Sequence, residues 1–259
     1  PFTEPRRCLR LPAAEGVGVG GLTYRDLWRS GVEIVTLSLK IVFHRKLTFG
    51  VLGVAGYYAI LYAILTFRPS DGFSVEAALN TLVQVPMAAL AVYLSMDIIA
   101  SERDRDTLET LFSTASSHYA IWMVRLTSLH GILVVSALAM STLSYFLFAE
   151  FPFVLGGLNA AVPAYLIANL TFYFAVSVRS SNAAGMLSLG CLLLALMFSS
   201  SLSGTMYDPF LNPFNVPSNA DLTLWEDTVL FNRVGVFVFG ALLLYLGLRK
   251  MERRERLLT

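Results

Sequence analysis

LTFGVLGVAGYYAILYAILTF, residues 47–67, contains no charged side chain and no proline. A helix of about 20 apolar residues crosses ~30 Å of hydrocarbon, so this stretch reads as a membrane span. Five more follow: Ala77–Ala100, Ile121–Ala149, Phe153–Val178, Ala183–Leu202 and Val229–Leu248. Each is continuously apolar with no dyad alternation, and an open sheet would leave backbone groups unpaired in lipid. The expected fold is an all-α membrane protein with six transmembrane helices over residues 47–248.

The formal net charge is only +1, yet the charges are sorted by side. Cytoplasmic loops near span ends retain Lys and Arg. With the N-terminus inside, Arg6, Arg7, Arg10, Lys40, Arg45, Lys46, Arg103, Arg105, Arg125, Arg179, Arg249 and Lys250 fall on the inner side, and only Arg68 and Arg233 fall on the outer one. Asp71, Glu76, Glu150, Asp208, Asp221, Glu226 and Asp227 fall outside. Both termini are therefore expected in the cytoplasm. The basic residues are spread along membrane borders rather than gathered on one soluble face, which favours lipids and argues against nucleic acid as a partner. Cys8 and Cys191 are too far apart in this topology to pair, and no zinc-site spacing is present. No removable targeting segment is expected, because a long cationic helix precedes the first span.

Residues 1–23 read as a cytoplasmic tail whose Gly16, Gly18, Gly20 and Gly21 make a flexible linker. Over residues 24–46, Arg25, Arg29, Glu33 and Lys40 recur at helical spacing, with Thr36 and His44, while Leu27, Trp28, Ile34, Val35 and Leu39 fill the rest of the circumference. This is an amphipathic interfacial helix, with Trp28 suited to the headgroup level.

The inner connection 101–118 is charged first and amphipathic after. Leu108, Leu111 and Phe112 share one helical face; Glu102, Arg105, Asp106 and Glu109 follow i,i+3 and i,i+4 spacings on another. A short helix of this kind lies parallel to the membrane and can set apolar knobs into a groove on a soluble partner. The chain here resembles the permease subunits of type-2 ATP-binding-cassette (ABC) transporters. In these, the second span is followed by Glu-Arg/Lys, then Gly-Thr-Leu-Glu-x-Leu, then a third span beginning near a basic residue. This chain has Glu102-Arg103, Thr107-Leu108-Glu109-Thr110-Leu111 and Arg125. Asp106 stands where that family has Gly, and there is no Pro between Ser113 and Ser117.

The resemblance implies a half-transporter in a bacterial cytoplasmic (inner) membrane. Two six-span subunits, alike or different, would each rest a coupling helix (Glu102, Arg103, Arg105, Asp106, Thr107, Leu108, Glu109, Leu111, Phe112) on a separate ATPase subunit that holds ATP and Mg. No cofactor is expected in this chain. It has no Gly-x-x-x-x-Gly-Lys-Ser/Thr, and none of Lys40, Lys46 and Lys250 follows a Gly directly, so it is not expected to be an enzyme on its own.

Asp97, Arg125 and His130 lie toward the inner ends of their spans, Arg233 toward the outer end of the last, and no carboxylate relay runs through the span centres. That argues against a proton- or sodium-coupled carrier. Asn159, Pro163 and Asn169 in the fourth span, and Gln84 and Pro86 in the second, either join helices or line a polar cavity; joining is the favoured reading. His130 is likewise expected to hydrogen-bond within the bundle. The outer loop 203–228 places Tyr207, Pro209, Phe210, Pro213 and Phe214 close together, so an ordered cap or a partly re-entrant gate is expected. Its acidic residues lack calcium-loop spacing, and no metal is expected. Residues 249–259 form a basic cytoplasmic tail that anchors on anionic lipid.

The functional expectation is an ABC exporter permease. Two alternatives stand beside it: a non-transporting membrane scaffold that passes ATPase force to an outer-side partner, and a permease for haem or cofactor maturation. Neither the substrate nor the direction of movement is legible.

Overall fold

The computed structural model describes residues 44–67, 74–96, 98, 118–178, 180–216 and 221–255. All regular structure among them is helical: α1 (His44–Phe67), α2 (Val75–Ala78), a π-helical stretch π1 (Leu79–Gln84), α3 (Val85–Ser95), α4 (His118–Leu147), α5 (Phe153–Ser177), α6 (Ser181–Leu202) and α7 (Leu222–Glu255). Five segments are long and apolar enough to cross a membrane: Leu47–Phe67, Trp122–Leu147, Phe153–Ser177, Ser181–Ser199 and Leu222–Met251. This is a multi-pass, all-helical membrane protein. The second predicted span forms a shorter apolar run, Leu79–Ser95. The interfacial helix 24–46 falls outside the described residues apart from the start of α1, and the coupling segment Glu102–Phe112 falls wholly outside them.

The bundle is built around α5, which packs against α3, α4, α6, α7 and π1. Its sequence explains why. Gly156, Gly157, Ala160, Ala161, Ala164 and Ala168 are all buried, and small side chains let neighbouring backbones close in, which drives helix association where lipid is as apolar as the partner. A Cβ on Gly157 would sit 3.0 Å from the Leu138 Cα of α4. On the other flank, α7 presents Gly240 to the Tyr165 ring and Gly247 to the Phe172 ring, where an added Cβ would meet ring carbons at 2.6 and 2.8 Å. By contrast α1 is nearly all exposed: 6% of its span is buried. It leans on α3, and between them runs an apolar groove of about 540 Å³ walled by residues such as Phe49, Gly53, Tyr57, Pro86 and Tyr93.

The two ends of the last helix differ most from the sequence expectation. The last helix begins at Leu222, inside the predicted outer loop, because Asp221 accepts from the Thr223 N–H at 3.2 Å and caps the first turn. It also runs on to Glu255, into the predicted tail, since Arg and Lys are good helix formers and nothing breaks the turn.

The glycine contacts separate packing from propensity. Gly157→Ala should lower the detergent-state melting point, by about 1–3 kcal/mol of overpacking. Gly53→Ala, where nothing lies within 4 Å, should be neutral or stabilising by up to ~1 kcal/mol. A thermal melt of both variants checks the pair.

Candidate functional site

The end of the bundle that carries residues 203–216 holds the densest polar network among the described residues. It starts where α6 ends. Gly204 takes φ 77°, a left-handed conformation that a side chain disfavours, and turns the chain back over the bundle. Two successive turns of one design follow. The Asp208 carboxylate accepts from the Phe210 N–H at 3.0 Å, and the Asn212 side-chain oxygen Oδ1 accepts from the Phe214 N–H at 3.0 Å. Each is an Asx turn with proline in second place, which presets the backbone. The sequence announces it as a tandem repeat, Asp208-Pro209-Phe210 and Asn212-Pro213-Phe214, a signal that the reading of separate prolines and aromatics missed.

The turns are tied down from two helices, α6 and α7, and through Arg233 to a third, α5. Ser199 of α6 donates to both Asp208 carboxylate oxygens, at 3.1 and 3.0 Å. Asn232 of α7 donates through Nδ2 to the carbonyls of Met206 and Asp208, at 2.9 and 2.7 Å. Arg233 reaches furthest: Nη2 donates to the Leu211 carbonyl at 2.6 Å, Nε to Asn159 Oδ1 of α5 at 3.0 Å, and Nη1 to Asn232 Oδ1 at 3.3 Å. Asp208 supplies the neighbouring negative charge. A partly buried guanidinium is tolerated when each of its nitrogens donates and a carboxylate stands close, as here, where Nε, Nη1 and Nη2 each make a bond. Trp225 Nε1 adds a bond to the Pro213 carbonyl at 3.0 Å.

Of the predicted loop residues, Phe210 is buried against the core, Pro209, Pro213 and Phe214 are half-buried, and Tyr207 stands out at 69% exposure. Residues 203–216 form an ordered cap. Ser199, Asn232 and Arg233, which hold it, were not singled out as its partners by sequence, because they lie in helices remote along the chain.

Deeper in the bundle the polar candidates divide. Asn159 joins α5 to α7 through Arg233, as the packing reading expects. His130 follows it through a backbone hydrogen bond to Leu126, whereas its second ring nitrogen and the Asn169 amide are less completely matched. The His130 ring lies 4.7 Å from that of Tyr165, which stacks on Phe237 at 4.9 Å. Asn169 sits fully buried beside His130 and Tyr165, yet neither of its amide atoms, nor His130 Nε2, completes a hydrogen bond of good geometry. Gln84 Nε2 and Ser95 Oγ are buried and equally unmatched. At the opposite end Lys250 donates to Ser177 Oγ at 2.9 Å and lies over the Tyr173 ring, and Arg125 lies over Trp122. Among the described residues no three His, Cys, Asp or Glu side chains gather as a metal site would require.

No protein-family model, curated protein or solved structure matches this chain.

The Arg233 contacts predict how the cap is held. Arg233→Ala strands the Leu211 carbonyl and the Asn159 amide, so protease cleavage within residues 203–216 should speed up markedly, in line with a loss of about 2–3 kcal/mol. Arg233→Lys should recover little, because an ammonium cannot span the same three acceptors.

Proposed function

We propose that this chain is the transmembrane permease subunit of an ABC exporter, working with a separate ATPase subunit that binds ATP and Mg. The observation that carries the proposal is the stretch Glu102–Phe112, whose order and spacing resemble the coupling segment of type-2 ABC permeases. In the chain it falls between Ser95, the end of α3, and His118, the start of α4. The run from Val75 to Ser95 would extend about 30 Å at 1.5 Å per residue, enough for a sixth crossing. Six crossings place both termini on one side, and the sorted charges make that side the cytoplasm.

In this reading the ATPase closes around ATP and pushes on Leu108, Leu111 and Phe112. The push reaches the second and third spans, both of which pack on α5, and α5 meets the cap through Asn159 and Arg233. Substrate moves outward past the cap, in a complex containing a second permease subunit. The ordered cap supports one other reading: Tyr207 and the paired turns form a built outer surface, as a scaffold that transmits force to an outer partner would need.

Affinity purification in mild detergent, with mass spectrometry and an ATPase assay, tests the proposal. A stoichiometric cassette ATPase is expected. Leu108→Asp or Glu109→Arg should cut its retention and activity by tenfold or more, about 1.4 kcal/mol at the contact. If no such subunit co-purifies and both variants keep transport intact, the permease reading fails.

A further inference from the structure

The break in the second apolar stretch has an unusual hydrogen-bond ledger. The Val85 N–H donates to the Asn80 carbonyl, five residues back, and Pro86 has no N–H. The carbonyls of Thr81 and Leu82 therefore lose the donors that an α-helix sets four residues on. Both are met from α1 instead. The Tyr57 hydroxyl donates to Thr81 O at 2.6 Å, and the Tyr58 hydroxyl lies 2.7 Å from Leu82 O and 2.9 Å from Ser144 Oγ of α4.

The two carbonyls are not equivalent. In an all-α register Leu82 O still lacks its donor, because residue 86 is proline, so Tyr58 is useful in either register. Thr81 O regains the Val85 N–H as soon as the π stretch closes into α. The Tyr57 hydroxyl thus relieves a penalty that only the π register carries.

We propose that π1 is a two-register element and that the Tyr57 hydroxyl selects the π register by holding the carbonyl this register leaves behind. Closing the π stretch removes one residue's excess, turning one side of the break by about 100° and shifting it by 1.5 Å relative to the other. The side that turns is α2. Met87, Ala88, Ala91 and Leu94 anchor α3 in the core at 0–3% exposure, whereas Ser74, Val75 and Ala77 of the outer turn are exposed. Each outer residue then moves into the place of the one before it: Ala78 takes the exposed position of Ala77, and Asn80 the buried position of Leu79. Tyr57 is also a wall residue of the α1–α3 groove, so the side chain that sets the register sits at the bundle's outer wall. The proposal is independent of the transport reading.

The test uses the full chain in lipid nanodiscs, with Cys8→Ser and Cys191→Ser, and single nitroxide labels at positions 77, 78, 79 and 80. Collision with oxygen is measured with and without Tyr57→Phe. With Tyr57 present, positions 77 and 80 should be accessible and 78 and 79 shielded. In Tyr57→Phe, accessibility at 78 should rise and at 80 fall, each several-fold. Should a label at a buried position disturb folding, loss of access at position 80 alone decides. An unchanged pattern after removal of the hydroxyl overturns the proposal.

Discussion

Inside a bilayer no water is present to pair with a carbonyl or an amide, and each one left alone costs several kcal/mol. The architecture can be followed as a set of answers to that constraint. Regular helix answers it for most of the chain. Where the second stretch departs from regular helix, at Thr81 and Leu82, the answer comes from outside the helix, through two neighbouring tyrosines of α1. Tyr58 ties π1 and α4 to α1 at a single buried point, and so gives an otherwise largely exposed helix a fixed position in the bundle.

The same constraint shapes the cap. An irregular loop at the membrane border exposes backbone groups that a helix would hide, and the cap meets them with side chains. Asn232 and Arg233, adjacent on α7, satisfy three of its carbonyls between them, while the Asx turns occupy two of its N–H groups. Because Arg233 bonds both the Leu211 carbonyl of the cap and Asn159 of α5, any displacement of α5 against α7 is felt at the cap. The interior is less complete: Asn169, lodged between the close α5–α7 contact and His130, has no well-formed partner, and buried polar groups kept in that state mark places where a membrane protein departs from maximum stability.

The helical class and most helix boundaries were legible from apolar length alone, because the hydrocarbon thickness imposes a length scale that needs no partner to express itself. The cap was legible as an ordered feature from Pro209 and Pro213, although not its fastenings. The π stretch was foreshadowed only by Pro86, since a proline announces a missing donor without saying which register the neighbouring residues take. The extension of α7 over Leu222–Thr228 escaped notice because Glu226 and Asp227 interrupt the apolar pattern, even though Asp221 provides a cap.

What the sequence by itself determined is the class: apolar runs of spanning length, with the charges gathered between them. These follow from transfer free energies and local spacing, which act residue by residue. Only the tertiary structure decided that α5 is the hub, that Tyr57 and Tyr58 serve the carbonyls of another helix, and that Arg233 holds Leu211 and Asn159. Those pairings join residues 22 to 74 positions apart, and which polar groups meet across such distances depends on helix packing, which no local pattern encodes.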